Sequence, residues 1–229
     1  MAVNILGNAY RDQCYSNLFK HIQDSRAALE ELHASPQVSL WDSETAACID
    51  TAAVQNGYRS YRRITTKPEL YVVGYEQASL DNMAAFFSTL GEKDILEQCA
   101  VLSEGYDGEA VMISKARPVT NRKLNAVFER YDVVPQGKDS FLLRERQYKS
   151  LQEIAQSQHA AEKKVLEAMG CLVKREKDYF VPAILEQKNK GKSVIFLTNL
   201  VHVLSSTFPI ALNNKEIKYA FFVPSELRK

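Results

Sequence analysis

Hydrophobic positions along the chain follow the 3.6-residue spacing of helices in some segments and the short continuous runs of buried strands in others. Residues 10–34 repeat apolar side chains at i, i+3 and i+4, which predicts an amphipathic helix. A second helix is predicted to begin at Asp42 or Ser43 and to end near Asn56. Residues 58–68, which are rich in arginine, are interpreted as a basic connector.

The middle of the chain predicts a strand, a helix and a second strand. The run ELYVVGY at 69–75 is short and apolar, LDNMAAFFSTLG at 80–91 has helical spacing with a terminal glycine, and QCAVLSE at 98–104 is apolar again. Because a helix separates two short apolar runs, the two strands are expected to lie parallel in one sheet.

The next segments are predicted to be mainly helical. Helical spacing covers residues 120–131, a polar and proline-containing stretch at 132–140 is interpreted as a linker, and the longest helical pattern covers residues 141–169. Gly170 stands where a C-terminal cap would stop that long helix.

A second unit of the same kind is predicted near the C-terminus. A helix would be capped by Asp178 at its start and by Gly191 at its end, followed by a buried strand at 193–198, one short helix at 199–214 and a last strand at 217–223. These alternating elements predict an α/β fold with a mainly parallel sheet flanked by helices.

Two regions are distinguished within this fold. Residues 1–57 form a predicted N-terminal helical element, and residues 58–229 form the α/β domain, the two together making one compact unit.

Composition excludes several classes of protein. Hydrophobic residues make up 45% of the chain and charged residues 25%, an ordinary globular mixture that excludes a disordered chain. The 29 basic and 28 acidic residues leave a net charge of +1, so no bulk field would attract nucleic acid or an anionic membrane. No apolar stretch approaches the roughly 20 residues that span a bilayer.

The start of the chain and its cysteines point to a reducing compartment. The first residues carry no basic stretch followed by an apolar run, so no secretory signal is recognised. The cytoplasm is expected, and a bacterial effector secreted by a signal-independent route would look the same. The four cysteines lie more than 30 residues apart, without zinc-ligand spacing, and all four are predicted to be free thiols.

Polar residues follow the carboxyl ends of the predicted strands, where ligands bind in open parallel sheets. Because these ends share one sheet edge, we expect the residues there to converge on one cleft. The candidates are Tyr75, Glu76 and Gln77 after the first strand, Glu104 and Tyr106 after the second, and Asn199 and His202 after the third.

The order of these elements resembles the superfamily that groups the ChaN haem-binding proteins, TraB, the Tiki proteases and the erythromycin esterases. LYVVGYEQASLDNM is similar to the first strand of that family and its GExH turn, and VLSEG is similar to its second strand with a terminal glutamate. The run REKDYFVPAILEQKNKGKSVIFLTNLVHV resembles the late helix led by an arginine, here Arg175, then the strand and the GxxH-type ending. The resemblance covers about residues 69–224.

The chain departs from this family pattern at the positions that carry chemistry. Tyr75 stands where the acid follows glycine, Gln77 stands where histidine is expected, and Met83 stands where a second histidine often follows. Asn199 replaces the glycine of GxxH, and only His202 remains. The resemblance therefore implies a degraded version of the family's site.

Two functions from different classes remain open at this point. The first is a binding or regulatory protein with a degraded hydrolase-type cleft that takes a protein or small ligand, with Tyr75, Gln77, Tyr106, Asn199 and Arg175 as ligand-binding residues. The alternative is a metal-dependent hydrolase that uses Glu76, Glu104 and His202, since two carboxylates and one imidazole can hold a divalent metal. Haem is the weaker cofactor prediction and rests on the tyrosine alone.

Each candidate also has a plainer interpretation. Glu76 and Glu104 could cap helices, since carboxylates favour helix N-termini, and His202 could be a hydrogen-bonded structural residue. Arg175 and Asp178 could form an exposed ion pair of little energetic value. The mixture of tyrosine and arginine at 58–63 resembles the chemistry of single-stranded nucleic-acid contacts, but four charges in ten residues are common on solvated loops. No P-loop, GxGxxG, GxSxG or HExxH motif occurs.

Overall fold

A computed structural model describes residues 44–62, 68–75, 79–104, 122–156, 162–204 and 207–225. In chain order its elements are α1 Glu44–Gln55, β1 Tyr58–Arg62, β2 Leu70–Tyr75, α2 Leu80–Gly91, a 3₁₀ turn Leu96–Gln98, β3 Cys99–Ser103, α3 Arg122–Arg130, β4 Gln136–Gly137, α4 Phe141–Gln156, α5 Glu162–Arg175, a π-helical turn Glu176–Phe180, α6 Val181–Asn189, β5 Ser193–Asn199, α7 Leu200–Leu204, α8 Thr207–Asn213 and β6 Tyr219–Pro224.

The described strands form one six-stranded sheet in the order β1-β6-β2-β5-β3-β4. Only β1 and β6 pair antiparallel; every other neighbouring pair in this sheet is parallel. The four strands that the sequence predicts all belong to this sheet, so the predicted α/β fold with a mainly parallel sheet is confirmed.

Helices cover both faces of the sheet, and each face has its own apolar core. On one face α1, α2 and α3 bury side chains such as Ile49, Phe86 and Leu124 against the sheet. On the other face the π-helical turn and α6 to α8 bury Phe180 and Phe208, among others. Strand alternation divides the central strands between these two cores, which explains why their sequences are apolar without a break.

The end of the predicted N-terminal element packs directly on the sheet domain. Ala46, Ile49, Ala52 and Ala53 of α1 are fully buried in the first core. The helix predicted at 10–34 lies outside the described residues. Among those residues no helix combines the length and the apolar character that crossing a bilayer requires.

The basic connector predicted at 58–68 is wrong for its first part, which is strand β1. Tyr58 is buried and Arg59 is exposed, as expected where successive side chains of a strand point to opposite sides. Charged residues are common on edge strands because they oppose pairing with other chains. The arginine content therefore led to the prediction of a connector where the structure has an edge strand.

The stop predicted at Gly170 and the cap predicted at Asp178 are both wrong. Gly170 lies inside α5, which continues through the π-helical turn into α6, so no free helix start exists at Asp178. A glycine inside a helix costs only about 1 kcal/mol relative to alanine, which tertiary packing readily outweighs. The predicted cap at Gly191 is confirmed by its φ of +74° and by the bond from its N–H to the Lys188 carbonyl.

Two other predictions need correction in detail. The linker predicted at 132–140 contains strand β4, which is only two residues long and too short to show a period. The single helix predicted at 199–214 is two short helices, α7 and α8. Three of the four cysteines, Cys48, Cys99 and Cys171, are free as predicted, and Cys14 lies outside the described residues.

Candidate functional site

Three strands deliver polar side chains to the carboxyl edge of the sheet. The hydroxyl of Tyr75, the last residue of β2, donates to Oε1 of Glu104 at 3.1 Å. The hydroxyl of Thr198, near the end of β5, donates to Oε2 of Glu104 at 3.3 Å. Glu104 follows β3, and its backbone N–H continues the parallel ladder by donating to the Leu197 carbonyl. The carboxylate of Glu104 is thus the centre of the cluster.

Arg175, the last residue of α5, is fully buried and binds two carboxylates. Its Nε and Nη2 atoms donate to the two oxygens of Asp139 at 2.9 and 2.7 Å, which is the bidentate geometry of strong guanidinium–carboxylate pairs. Nη2 also donates to Oε2 of Glu104 at 3.3 Å, and Nη1 donates to Oε1 of Gln147. Arg175 therefore links the helical hairpin of α4 and α5 to the sheet edge.

His202, on α7, lies between two carboxylates and is fully buried. Its Nδ1 is 2.9 Å from Oε1 of Glu176, and its Nε2 is 3.4 Å from Oε2 of Glu104. The ring of Phe180 packs edge-on against the imidazole with 5.0 Å between centroids. The histidine is therefore held by charge at both nitrogens and by an apolar wall.

Gly74 allows α7 to bring His202 to this position. A Cβ atom at residue 74 would lie 2.8 Å from Cδ2 of Leu200 and 2.9 Å from Cγ2 of Val203, so these two side chains of α7 occupy the space that a larger residue would need. Asn199 fixes the start of α7, because its side-chain oxygen accepts the N–H of Val201 at 3.1 Å.

The π-helical turn begins directly after Arg175, and its first residue, Glu176, contacts His202. The N–H of Val181 donates to the Glu176 carbonyl five residues earlier, which is the π pattern. Pro182 comes next and has no N–H to give the Asp178 carbonyl, so an ordinary α turn could not be completed here. Such turns inside helices are frequent at functional sites.

Arg144 of α4 closes the cluster from the hairpin side. Its Nη1 donates to the backbone carbonyl of Glu104 at 2.8 Å and lies 3.7 Å from Oδ2 of Asp139. The cluster therefore contains three carboxylates, two guanidinium groups and one imidazole, whose charges sum to zero when the imidazole is protonated. We call this set the ionic cluster; it consists of Glu104, Asp139, Arg144, Arg175, Glu176 and His202.

The pKa values of two members are shifted in the directions that favour their charged forms. Burial raises the pKa of Glu104, but the contact with the His202 imidazole and the charges of Arg144 and Arg175 outweigh it, so the pKa lies well below its usual range. Burial and Arg175 lower the pKa of His202, but its bonds to Glu104 and Glu176 outweigh them, and the net shift is upward. Both shifts favour a carboxylate beside an imidazolium.

The structure brings together four of the residues that the sequence predicts for this site. Tyr75, Glu104, Arg175 and His202 converge as described, and Asn199 lies at the same edge as the cap of α7. The interpretation of Arg175 and Asp178 as an exposed ion pair is wrong, because Arg175 is buried and binds Asp139 and Glu104. Three further candidates, Glu76, Gln77 and Tyr106, lie outside the described residues.

Sequence reasoning missed the members that come from the helices and the segment before α4. Arg144 and Gln147 are buried and lie three residues apart on α4, and Glu176 is buried in the π-helical turn. The sequence signal that could have identified them is the spacing of these polar residues on α4, which is the spacing of residues on the buried face of a helix. Asp139 carried no signal, because it lies in a segment that reads as a linker.

The described part of the site does not fit a divalent metal. Within the described ranges no group of three or more histidine, cysteine, aspartate or glutamate side chains is arranged to hold a metal ion. The guanidinium of Arg175 takes the position beside Glu104 that a cation would need, and His202 directs Nδ1 at Glu176. The tyrosine predicted for haem, Tyr75, has its hydroxyl on Glu104.

Comparison of the chain with protein-family models, with curated proteins and with solved structures finds no match in any of the three. The resemblance to the ChaN, TraB, Tiki and erythromycin esterase superfamily therefore stays a prediction.

Proposed function

We propose that this chain is a binding or regulatory α/β protein whose carboxyl sheet edge is a degraded hydrolase-type centre kept for ligand recognition. The observation that carries the proposal is the state of Glu104. Its carboxylate is engaged by Tyr75, Thr198, Arg175 and His202 together. A carboxylate that is engaged by four groups is suited to holding these groups in position, and not to accepting a proton as a free base.

The protonation states argue against general acid–base catalysis. A general base works best with a pKa near the operating pH. The pKa of Glu104 is well below that range, so its carboxylate is a weak base, and the pKa of His202 is raised because its contacts with Glu104 and Glu176 favour the imidazolium. Both ring nitrogens face carboxylates, which leaves the imidazole oriented for ion pairing.

The energetics favour a functional role for the cluster over a purely stabilising one. Replacing buried ion networks by apolar side chains is often neutral or stabilising, so burial of six charged groups is weak evidence for stability. The cluster instead joins the sheet edge to the hairpin of α4 and α5 through Arg144 and Arg175. A ligand that competes for one member changes the pairing of the others, which is the basis of a regulatory response.

Metal and substrate assays separate this proposal from the metal-dependent hydrolase. Purified protein is measured by elemental analysis, then titrated with Zn²⁺ and Mn²⁺ by calorimetry, and assayed on nitrophenyl esters with and without each metal. The expected result is no stoichiometric metal and no metal-dependent turnover. One tightly bound metal that disappears in Glu104→Gln, together with turnover, would replace the proposal by a hydrolase using Glu76, Glu104 and His202.

Ligand recognition is tested by thermal shift with a set of small carboxylates, phosphates and amines. We expect at least one compound to raise the melting temperature of the wild type but not that of Arg175→Lys, which keeps the charge and loses the planar fork. Arg146→Lys, on the exposed side of α4, is the matched control. A compound that shifts all three proteins equally binds elsewhere and counts against the proposal.

A further inference from the structure

A cavity of about 330 Å³ lies beside the first half of β3. β4 pairs only with Leu102 and Ser103, so within the described part of the chain no strand covers residues 99–101 on this side. These three residues line the cavity and are only 7 to 8% exposed, so they form its floor. The volume is that of a small-metabolite pocket, since such pockets begin at about 300 Å³. We call this feature the β3 cavity.

An apolar wall of the β3 cavity is fixed by packing. It includes Leu96 of the 3₁₀ turn together with Tyr131 and Val133, which follow α3. A Cβ atom at Gly91 would lie 2.5 Å from the ring of Tyr131, so this ring packs closely against α2. A wall held in this way is typical of a pre-formed ligand site.

Gln187 of α6 brings a buried amide to the β3 cavity, where the residue is only 5% exposed. Its backbone carbonyl accepts the N–H groups of Lys190 and Lys192 at the end of the helix. Its side chain makes no hydrogen bond to any residue that the structure describes. A primary amide has two N–H donors and an acceptor oxygen, and buried polar groups are nearly always hydrogen-bonded. A ligand in the cavity would supply the missing bonds.

Charged side chains of both signs line the β3 cavity and come from three separate elements. Glu97 belongs to the 3₁₀ turn, Asp132 follows α3, and Lys192 follows α6. Over the described ranges none of the three side chains forms an ion pair, either with one another or with a further residue. Opposite charges placed around one cavity complement a ligand that itself carries an anionic and a cationic group.

We propose that the β3 cavity binds a small zwitterion with a carboxylate and an ammonium group, of the free α-amino acid type. Lys192 pairs with the carboxylate, and Glu97 and Asp132 receive the ammonium group. The amide of Gln187 hydrogen-bonds the ligand, and the apolar wall faces its side chain. The residues that line the cavity are all outside the ionic cluster, so this inference goes beyond the proposed function and does not depend on it.

Calorimetric titration of the full chain with each of the common amino acids tests the proposal. We expect at least one of them to bind with one-to-one stoichiometry. Its amide derivative lacks the carboxylate and its N-acetyl derivative lacks the ammonium group, so each should bind at least about tenfold more weakly. No binding by any amino acid at millimolar concentration overturns the proposal. Derivatives that bind as tightly as the free amino acid overturn it as well.

Variants assign the binding to the β3 cavity. Lys192→Met and Gln187→Met keep the length of the side chain and remove its charge or its amide, and Glu97→Gln/Asp132→Asn removes both carboxylates. Asparagine suits position 132, where φ is +52°. Each variant should weaken binding by at least about tenfold, and circular dichroism confirms that it is folded. Variants that bind the amino acid like the wild type contradict the proposal.

Matched controls carry the same chemical changes at exposed positions that do not line the cavity. They are Lys215→Met and Asp94→Asn/Glu216→Gln, and the φ angles of Asp94 and Glu216, +55° and +53°, are close to that of Asp132. Both controls should bind like the wild type. Arg175→Lys should also bind like the wild type, which separates this site from the ionic cluster. Binding that is lost in Arg175→Lys and kept in the cavity variants would place the ligand at the ionic cluster, and so support the proposed function while overturning this inference.

Discussion

The guanidinium of Arg175 lies 3.3 Å from the carboxylate of Glu104, although 71 residues separate them in the sequence. Neither side chain has contact with bulk solvent, since their exposed fractions are 0% and 1%. A buried charge is tolerated only when it is paired and hydrogen-bonded. Each of these two residues therefore depends on the other for its place in the fold.

Replacing Arg175 by methionine should destabilise the protein strongly. The change removes the guanidinium that hydrogen-bonds both buried carboxylates, those of Glu104 and Asp139. Removing one partner of a buried pair costs about 3 to 5 kcal/mol. The loss is measured as the free energy of unfolding in urea, with circular dichroism as the probe.

Arg146→Met is the matched control for this prediction. Arg146 belongs to α4 and pairs with Glu167 on the surface, where its side chain is 66% exposed. Surface ion pairs contribute about 0 to 1 kcal/mol, so the variant should unfold almost like the wild type. Equal losses in the two variants would show that burial does not decide the role of Arg175.

The sheet could be predicted from the sequence because its central strands are continuous apolar runs. β2, β3 and β5 are buried throughout or nearly so. A strand that is buried on both faces has a continuous apolar sequence, which is recognised without any alternation of polar and apolar residues. The convergence of Tyr75, Glu104 and His202 followed from strand direction alone, since parallel strands end at one edge.

The rest of the ionic cluster could not be predicted because tertiary packing delivers it. Asp139 and Arg144 reach Glu104 from a segment and a helix that follow β4, and no local pattern states how that helix packs. Strand β1 was hidden for another reason: an edge strand tolerates arginine, so its composition resembles a connector. The local sequence therefore determines the strands, whereas the packing of the α4–α5 hairpin against the sheet determines which further residues join the ionic cluster.

Stability should depend on pH in opposite directions for Glu104 and His202. The pKa of Glu104 is lowered on folding, so its contribution is present above the ordinary value of 4.5 and is lost as pH falls through the folded pKa. The pKa of His202 is raised, so its contribution is complete below 6.5 and is lost as pH rises through the folded pKa. Their joint contribution therefore peaks between these two values.

Urea unfolding at a series of pH values measures this dependence. Glu104→Gln should flatten the decline on the acidic side, and His202→Gln should flatten the decline on the alkaline side. An alkaline decline of unchanged size in His202→Gln would contradict the assignment of that decline to the imidazole.

Thiol reactivity should distinguish the cysteines by burial. Cys48 is partly exposed, whereas Cys99 and Cys171 are buried, and burial raises the pKa of Cys171. Because the thiolate is the reactive form, Ellman's reagent should modify Cys48 of the folded protein faster than either buried thiol. The denatured protein should titrate as four thiols, since all four cysteines are predicted to be reduced. Fewer than four would mean that a disulfide is present.

Gly74→Ala should disturb the cluster without touching any of its members. The added methyl group would lie 2.8 Å from Cδ2 of Leu200 and 2.9 Å from Cγ2 of Val203, so these side chains must shift, and we expect the shift to displace His202 on the same helix. Overpacking of this kind typically costs about 1 to 3 kcal/mol. The displacement should also weaken the ion pairs of His202, so the alkaline decline of stability should shrink.

Gly170→Ala makes the same chemical change at a site with room for it, and so isolates the steric effect. A Cβ atom at Gly170 meets nothing within 4 Å, and the residue lies on the exposed side of α5. Alanine is favoured over glycine inside a helix by about 0.5 to 1 kcal/mol, so this variant should be more stable than the wild type. The two variants are compared by urea unfolding at several pH values. If Gly74→Ala were as stable as Gly170→Ala and kept the alkaline decline, the close approach of α7 to β2 would not be what holds His202 in place.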